Sequence, residues 1–358
     1  MSTAITDSVP AVPATADNVI NTMDKNFIEE VVKLHLAPGP TDPLDHIGAR
    51  EWLEKVYRPL PKTPKPIRCV RQPSVVTIQN VTVTYGHGGS FNIRVYQPQI
   101  TGPEDPTRSL PAVLAYHGGG WIHGHSELED DVYRFMASET QSVVVGVDYR
   151  LAPEHPFPVP HDDSYEALNH VVANASKYGV DITRIALWGA SAGGNLAAGV
   201  ALRDAHEHNP TRIRHVSLIA PALCPPSLAP AELSVPSASY PHFTSQSKSN
   251  PFVLTGAEDL WEIYANGREN FSNPYVTPLL SAPAPNHCPM YLAVGGVDVL
   301  RDEGIAYALT YRNAGCDVQL EIIPGAPHGM LAANDAWVSK QYWRNQLRVL
   351  NVAFHTAF

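Results

Sequence analysis

Short apolar runs alternate with stretches of helical spacing over most of the chain. Such buried runs between helices are typical of a parallel sheet that helices cover on both faces. The predicted buried strands lie at Ala112–Tyr116, Val143–Val147, Ile185–Trp188, Val216–Ala220, Met290–Val294 and Val318–Ile323. The predicted helices lie near Glu127–Ser138, Asp163–Ala173, Gly194–His206, Arg301–Asn313 and Ala336–Val352.

Two stretches before these runs alternate apolar and polar positions with a period of two, as half-buried strands do. They are Val75–Tyr85 and Phe91–Tyr96, and His87-Gly88-Gly89 between them is typical of a hairpin turn. This hairpin adds antiparallel strands at one edge of the sheet. The pattern therefore predicts an α/β fold with a mostly parallel sheet of about eight strands and helices on both faces.

The N-terminal part and one internal stretch lack this alternation of buried strands and helices. Residues 1–17 are predicted to form a loose polar tail, and residues 18–60 show helical spacing that a run of prolines then interrupts. We expect the main domain to span residues 70–358. Within it, residues 222–285 are rich in proline and serine, with one helix predicted at Glu258–Ala265, and we interpret them as an insertion over the sheet.

Charge and composition narrow the classes of function. The net charge is −10 and no dense run of Lys or Arg occurs, so nucleic acid and anionic membrane are poor partners. No signal peptide or apolar run of spanning length is found, so we expect a cytoplasmic protein without a membrane span. The four cysteines lack Cys-x-x-Cys spacing, and no metal, nucleotide or flavin motif occurs, so no cofactor is expected. The oligomeric state stays open, a homodimer included.

Ser191 lies where a predicted buried strand runs into a predicted helix, within Gly189-Ala190-Ser191-Ala192-Gly193. Gly-x-Ser-x-Gly in this position is the pattern of a nucleophile elbow, in which the chain reverses sharply at the serine. Small residues two positions away on each side prevent clashes, and the helix N-terminus points its N–H groups at the reaction centre. The short pattern recurs by chance, so its weight comes from the flanking strand and helix. We predict that Ser191 is a nucleophile.

A glycine loop, His117-Gly118-Gly119-Gly120-Trp121, follows the third predicted strand. Backbone N–H groups without a Cβ nearby are suited to stabilise the oxyanion of a tetrahedral intermediate. Lipases and esterases carry their oxyanion loop after this strand. The predicted donors are therefore the N–H groups of Gly118, Gly119 and Ala192, and His117 is expected to shape the loop.

The acid and the base should follow the serine in the order that α/β hydrolases use. Asp298 comes at the C-terminal end of the next-to-last predicted strand, where open α/β sheets meet their ligands. Asp302 and Glu303 fall in the first helical turn, where acids favour the helix dipole, so Asp298 is preferred. His328 lies in a Pro/Gly-rich loop after the last predicted strand. We predict that His328 takes the serine proton while Asp298 fixes its tautomer.

Other side chains near these motifs leave alternatives open. Trp121 and Trp261, with Tyr264, either line a substrate pocket or belong to a core. His123 and His125 form a His-x-His that a metal could use, but no further ligand set is evident, so they are expected at the surface or the pocket rim.

Together these motifs resemble the hormone-sensitive-lipase-like esterases, the bacterial family IV group. The resemblance runs from about Val75 to the end of the chain. It implies an α/β-hydrolase fold with a helical cap, which suits residues 18–60 and 222–285, and hydrolysis of carboxylic esters with short or medium acyl groups. It also makes Glu154 a candidate to support the site. The matching stretches are His117–Trp121, Asp148–Pro158, Gly189–Gly194, Asp298–Asp302 and the loop around His328.

Three positions depart from the pattern of that family. Ala190 stands where Asp usually precedes the serine, Val299 where Pro usually follows the acid, and Met330 where an aromatic residue is common. None of these removes an atom of the predicted triad. Ala190 does remove a carboxylate beside the nucleophile, which leaves the local hydrogen bonding and the pH response open.

The leading hypothesis is a serine carboxylesterase that acts on a small-molecule ester. The same acyl-enzyme chemistry on a lactone, amide or thioester, or acyl transfer to an acceptor other than water, needs the same residues and stays open. A third hypothesis is a non-enzymatic ligand receptor on this fold. Relatives of that kind have lost the base, and His328 is intact here, which argues against it.

Overall fold

A computed structural model describes residues 50–51, 75–86, 88–99, 109–228, 257–332 and 336–355. The predicted tail at residues 1–17 and nearly all of the segment 18–60 lie outside these ranges, as do residues 229–256 of the predicted insertion. The division into tail, cap and insertion therefore stays a prediction.

Eight strands of the described residues form one sheet in the order β1-β2-β4-β3-β5-β6-β7-β8. The pairs β1/β2 and β2/β4 are antiparallel and the other pairs are parallel, which confirms the predicted sheet and its antiparallel edge. Strand β3 lies between β4 and β5, so the loops that follow β3 and β5 leave the same edge side by side. The strands are β1 Val76–Tyr85, β2 Gly89–Pro98, β3 Leu110–Tyr116, β4 Val143–Asp148, β5 Val180–Ala190, β6 Ile213–Ile219, β7 Met290–Gly295 and β8 Val318–Ile323.

Helices cover both faces of this sheet. Consecutive residues of β3 alternate between two cores, because successive side chains of a strand point to opposite faces. Helices α2, α4 and α6 pack with one core and α1 and α7 with the other. The helices are α1 Asp130–Thr140, α2 Val159–Ala173, α3 Ala175–Tyr178, α4 Ala192–Glu207, α5 Ala257–Ala265, α6 Arg301–Asn313 and α7 Trp337–His355.

The predicted boundaries differ most from the structure at two places. Helix α2 begins at Val159 rather than Asp163, with Pro160 in its first turn. Proline is tolerated there because the first N–H groups of a helix have no partner inside it. Strand β5 begins at Val180 rather than Ile185, and its polar start pairs with Leu110 before a shift of register. In the described part of the chain, no helix combines the length and apolarity needed to cross a membrane.

Four histidines of the described residues are buried and make the fold sensitive to acid. Burial lowers the pKa of His117, His215 and His287 to about 4 and that of His161 to about 3. An unfolded chain takes up protons at these positions near the ordinary pKa of about 6.5. Because the unfolded state then binds more protons than the folded state, stability falls as the pH drops from about 6.5 towards these values.

His161 allows a direct test of this effect. Its ring stacks on Tyr275 with centroids 4.8 Å apart, and neither ring nitrogen has a hydrogen-bond partner within the described residues. We expect wild type to lose about 2 kcal/mol more unfolding free energy between pH 8 and pH 5 than His161→Leu does. Urea unfolding of both proteins at both pH values gives the change in unfolding free energy between pH 8 and pH 5 for each protein. The stacking that His161→Leu loses is absent from the variant at both pH values, so its cost cancels from that change. Equal losses would contradict the prediction.

Candidate active site

The turn from β5 into α4 holds Ser191 in a sparsely populated backbone conformation. Its φ is 53° and its ψ is −119°, a combination that costs a non-glycine residue about 1–3 kcal/mol. Three backbone hydrogen bonds keep it there: Ser191 N–H donates to Ile219 O at 3.0 Å, and Ser191 O accepts from Asn195 and Ala222, both at 3.1 Å. The sharp reversal that the sequence predicts at Ser191 is therefore present.

The glycines on each side of Ser191 are required by close backbone packing. A Cβ on Gly193 would lie 2.0 Å from the carbonyl oxygen of Tyr116, and a Cβ on Gly189 would lie 2.1 Å from that of Gly193. Real Cβ atoms do not approach so closely. The Gly-x-Ser-x-Gly pattern thus lets the start of α4 lie directly against the end of β3.

The structure brings Ser191, His328 and Asp298 into one hydrogen-bonded series. His328 Nε2 is 3.1 Å from Ser191 Oγ, and His328 Nδ1 is 3.1 Å and 3.2 Å from the two carboxylate oxygens of Asp298. Asp298 Oδ1 also accepts a hydrogen bond from Leu300 N–H at 2.8 Å, which fixes the carboxylate. The three side chains come from the loops after β5, β7 and β8, whose C-terminal ends share one edge of the sheet.

Asp302 and Glu303, the two alternatives to Asp298 in the sequence, form other contacts. Asp302 Oδ1 accepts from Arg301 Nε at 2.7 Å, and Glu303 Oε1 accepts from Leu223 N–H at 2.7 Å. Arg301 also donates from Nη1 to the carbonyl oxygen of Gly296 at 2.8 Å, so it braces the loop that carries Asp298. Among these three acids, Asp298 is the one hydrogen-bonded to His328.

His328 has the charge environment of a general base. Burial by itself lowers the pKa of His328, but the charge of Asp298 and its hydrogen bond outweigh that effect and raise the pKa above its ordinary value. Because Asp298 accepts at Nδ1, the proton of neutral His328 sits on Nδ1. The lone pair on Nε2 then faces the hydroxyl of Ser191, the arrangement needed to remove its proton.

The glycine loop lies directly beside Ser191. Tyr116 at the end of β3 pairs with Gly189 in β5, and a Cβ on Gly118 would be 3.6 Å from Ser191 Cβ. Gly119 has a φ of 124°, and a Cβ there would be 2.1 Å from the carbonyl oxygen of His123. In the part of the chain that the structure describes, no carbonyl accepts from the N–H groups of Gly118, Gly119 or Ala192. These N–H groups therefore have no competing backbone partner.

His117 and Tyr149 fix the orientation of this loop. His117 Nδ1–H donates to the carbonyl oxygen of Gly118 at 2.8 Å, and Tyr149 Oη–H donates to that of His117 at 2.8 Å. The two rings stack with centroids 4.2 Å apart. In a trans peptide the C=O and N–H point in opposite directions, so the bond to Gly118 O directs the N–H of Gly119 away from His117. The contact supports the predicted loop-shaping role of His117.

Sequence reasoning does not single out Tyr149 as a contact of the glycine loop. Its one signal is membership of the Asp148–Pro158 stretch, one of the stretches that match the family pattern. Asp148 in the same stretch accepts from Ser126 N–H at 2.6 Å, beyond the other end of the loop. With Ala152 N–H, which donates to Trp121 O at 3.0 Å, this stretch contacts the glycine loop before and after its glycines.

Trp121 and Trp261 pack in one aromatic cluster between the glycine loop and α5. Trp121 stacks on Tyr264 at 4.3 Å between ring centroids and lies 4.7 Å from Trp261. Only 2% of Trp121 and 3% of Trp261 is exposed, so both contribute to a packed core; a role in a substrate pocket stays a prediction. His123 and His125 are half-buried, and the described residues contain no group of three or more acidic, His or Cys side chains that could hold a metal.

Comparison with known proteins agrees with this fold. A family model described as alpha/beta hydrolase fold matches residues 113–332. The carboxylesterase NlhH of Mycobacterium tuberculosis is 35% identical over 256 residues, which are 70% of this chain and 75% of that protein. An ethyl acetate hydrolase of Pseudomonas putida is 30% identical over 71% of this chain and 76% of its own length. The solved structure of a bacterial heroin esterase, 28% identical, superposes with a TM-score of 0.76 and covers 94% of this chain and 99% of that one.

Proposed function

This chain belongs to the alpha/beta hydrolase fold family, in its hormone-sensitive-lipase-like group, and is an ester hydrolase; we propose that it is a serine carboxylesterase that works through an acyl-enzyme on Ser191. The observation that carries the proposal is the hydrogen-bonded series from Ser191 Oγ through His328 to Asp298, with 3.1 Å at both links. A hydroxyl, a neutral imidazole and a carboxylate in this order can generate a nucleophile at neutral pH.

In the acylation step, Ser191 Oγ attacks the carbonyl carbon of the ester while His328 Nε2 takes the hydroxyl proton. The carbonyl oxygen becomes an oxyanion that accepts hydrogen bonds from the N–H groups of Gly118, Gly119 and Ala192. The N-terminus of α4 adds the positive end of its dipole at the same place. The tetrahedral intermediate collapses when the C–O bond to the alcohol breaks and His328 returns its proton to the leaving oxygen.

Deacylation repeats these steps with water as the nucleophile. His328 Nε2 removes a proton from water, which attacks the acyl carbon and forms a second oxyanion in the same place. The bond to Ser191 Oγ then breaks, the serine recovers the proton, and the carboxylic acid leaves. Asp298 stabilises the imidazolium in both halves of the cycle without becoming protonated itself.

We expect short- and medium-chain esters to be the best substrates. Each methylene that the acyl pocket buries should raise kcat/KM by up to about fourfold, and methylenes beyond its reach add nothing. The assay is hydrolysis of p-nitrophenyl acetate, butyrate, hexanoate, octanoate, decanoate and palmitate. The profile is expected to peak no later than octanoate, and a continued rise to palmitate would contradict this substrate class. Product analysis with added methanol separates hydrolysis from acyl transfer.

A further inference from the structure

Arg50 forms hydrogen bonds with two loops, the one around Ile122 and the one around Ala152. Its Nε donates to the carbonyl oxygen of Ile122 at 2.8 Å, and its Nη2 donates to that of Ala152 at 3.2 Å. Its two terminal nitrogens also form a bidentate pair with Glu154, at 2.8 Å to each carboxylate oxygen. Four donor contacts from one guanidinium define both its position and its plane.

Of the two carbonyl groups that Arg50 contacts, that of Ile122 belongs to the turn that closes the glycine loop. The N–H groups of Ile122 and His123 donate back to Gly119 O at 3.2 Å and 3.1 Å. Ala152 N–H donates to Trp121 O at 3.0 Å, so the second loop is bonded to the first. Arg50 thus fixes Ile122, the residue after Trp121. The N–H of Ile122 in turn donates to the carbonyl oxygen of Gly119, and the N–H of Gly119 is one of the proposed oxyanion donors.

An apolar contact lies at the same place. Ile122, Ala152 and Leu260 form a small buried cluster, against which Ile263 of α5 packs. A Cβ on Gly120 would lie 3.3 Å from Leu260, so the cluster also touches the glycine loop. The contacts of Arg50 therefore fall where the glycine loop, the loop around Ala152 and α5 meet.

The pair with Glu154 would be worth little as a stabilising contact by itself. The Glu154 side chain is 54% exposed, and pairs at such sites contribute at most about 1 kcal/mol. The hydrogen bonds from Arg50 lower the pKa of Glu154 to about 2, so the carboxylate stays charged across any practical assay range. Its consequence is geometric: it orients the guanidinium so that Nε meets the carbonyl oxygen of Ile122.

We propose that Arg50 is a positioning residue for the oxyanion-binding loop, an inference that rests on the esterase function proposed above. By fixing the carbonyl of Ile122, it holds the turn whose N–H groups donate to Gly119 O, and so it fixes Gly119, whose own N–H is a proposed oxyanion donor. The N–H groups of the oxyanion loop bind the oxyanion most strongly in the transition state. Loss of Arg50 therefore slows the chemical step more than it weakens substrate binding.

The test compares Arg50→Met, Arg50→Lys and Glu154→Gln with wild type, using p-nitrophenyl butyrate. Arg50→Met is expected to lower kcat and kcat/KM together by roughly 10- to 100-fold with KM nearly unchanged, as a small misplacement of transition-state donors does. Arg50→Lys should recover part of this loss, because lysine keeps the charge and a donor but not the planar fork. Glu154→Gln, the milder change, should give a smaller loss of kcat in the same direction.

Arg184→Met is the matched control. Arg184 also pairs with a carboxylate, Asp181 at 2.7 Å, and donates to a backbone carbonyl, Ser109 O at 2.9 Å, but it lies in the N-terminal half of β5, whereas Ser191 follows the C-terminal end of that strand. Its kcat should stay at the wild-type value. A lower melting temperature with unchanged kcat in Arg50→Met and Glu154→Gln, or a rise of KM alone, would overturn the positioning role.

Titration with a fluorophosphonate separates this inference from the proposed function. If wild type is neither phosphonylated at Ser191, with loss of fluoride, nor active, the esterase proposal fails and Arg50 has nothing to position. If wild type is active and labels stoichiometrically while Arg50→Met keeps the same kcat per labelled site, only the role of Arg50 fails. Counting labelled sites also corrects the rates for any misfolded fraction of the variant.

Discussion

Replacing Ser191 with alanine is expected to lower kcat for p-nitrophenyl butyrate by about 10⁴- to 10⁶-fold. The change removes the oxygen that attacks the ester and leaves His328 facing a methyl group. KM should change little, because the ester is bound mainly by groups that the substitution does not touch. The backbone of the turn should survive, since its bonds to Ile219, Asn195 and Ala222 all involve the main chain of residue 191.

The measurement pairs turnover with covalent labelling. Wild type should react with one equivalent of a fluorophosphonate, with the added mass on Ser191, and the alanine variant should not react. Ser176→Ala serves as control, because Ser176 lies in α3, just before the start of β5, whereas Ser191 follows its end. Unchanged turnover in Ser191→Ala would refute the mechanism. Labelling of wild type without turnover of any ester would favour a ligand receptor on this fold.

The sheet could be predicted because its parallel strands are buried on both faces and stand out as solid apolar runs. Strand β8 at Val318–Ile323 and helix α6 at Arg301–Asn313 have the predicted bounds. The predicted start of helix α2 is too late, because prolines that initiate a helix carry the same sequence signal as prolines that break one. Boundaries of this kind depend on the position of a proline within the first turn, which hydrophobic periodicity does not record.

The convergence of Ser191, Asp298 and His328 follows from chain order combined with a parallel sheet. Residues that come just after parallel strands gather at one edge, whatever their separation in sequence. Arg50 has no such signal. Its partners, Ile122 and Glu154, lie 72 and 104 residues away, and neither a motif nor a periodicity links an arginine to a carbonyl group. Contacts of this kind depend on the tertiary fold alone.

Two of the departures from the family pattern lie against one apolar cluster. Met330 belongs to the core that includes Trp188 and Ala326, and Ala190 packs against the same core. A carboxylate in place of the Ala190 methyl would enter an apolar setting. Within the described part of the chain, Asp298 is the carboxylate that raises the pKa of His328. We therefore expect Asp298 to set the acid limb of the pH profile through the pKa of His328.

Asp298→Asn is expected to lower kcat/KM by about 10⁴-fold at neutral pH and to move the remaining activity to lower pH. His328 acts as a base only when neutral, so activity is lost as the pH falls through its pKa. In wild type Asp298 raises that pKa, which places the midpoint of the acid limb above about 6.5. In the variant the charge is gone and the effect of burial remains, so the midpoint should fall below about 6.5.

The loss of rate has a second cause besides the pKa. The side-chain amide that Asp298→Asn introduces would present an N–H to His328 Nδ1, which favours the tautomer with its proton on Nε2 and leaves no lone pair for Ser191. Profiles of kcat/KM against pH, measured from pH 5 to pH 9, separate the two effects as a shifted midpoint and a lowered plateau. Asp302→Asn is the control, because Asp302 pairs with Arg301 rather than with His328, and its midpoint should match wild type. A lowered plateau with an unmoved midpoint would mean that Asp298 orients His328 without setting its pKa.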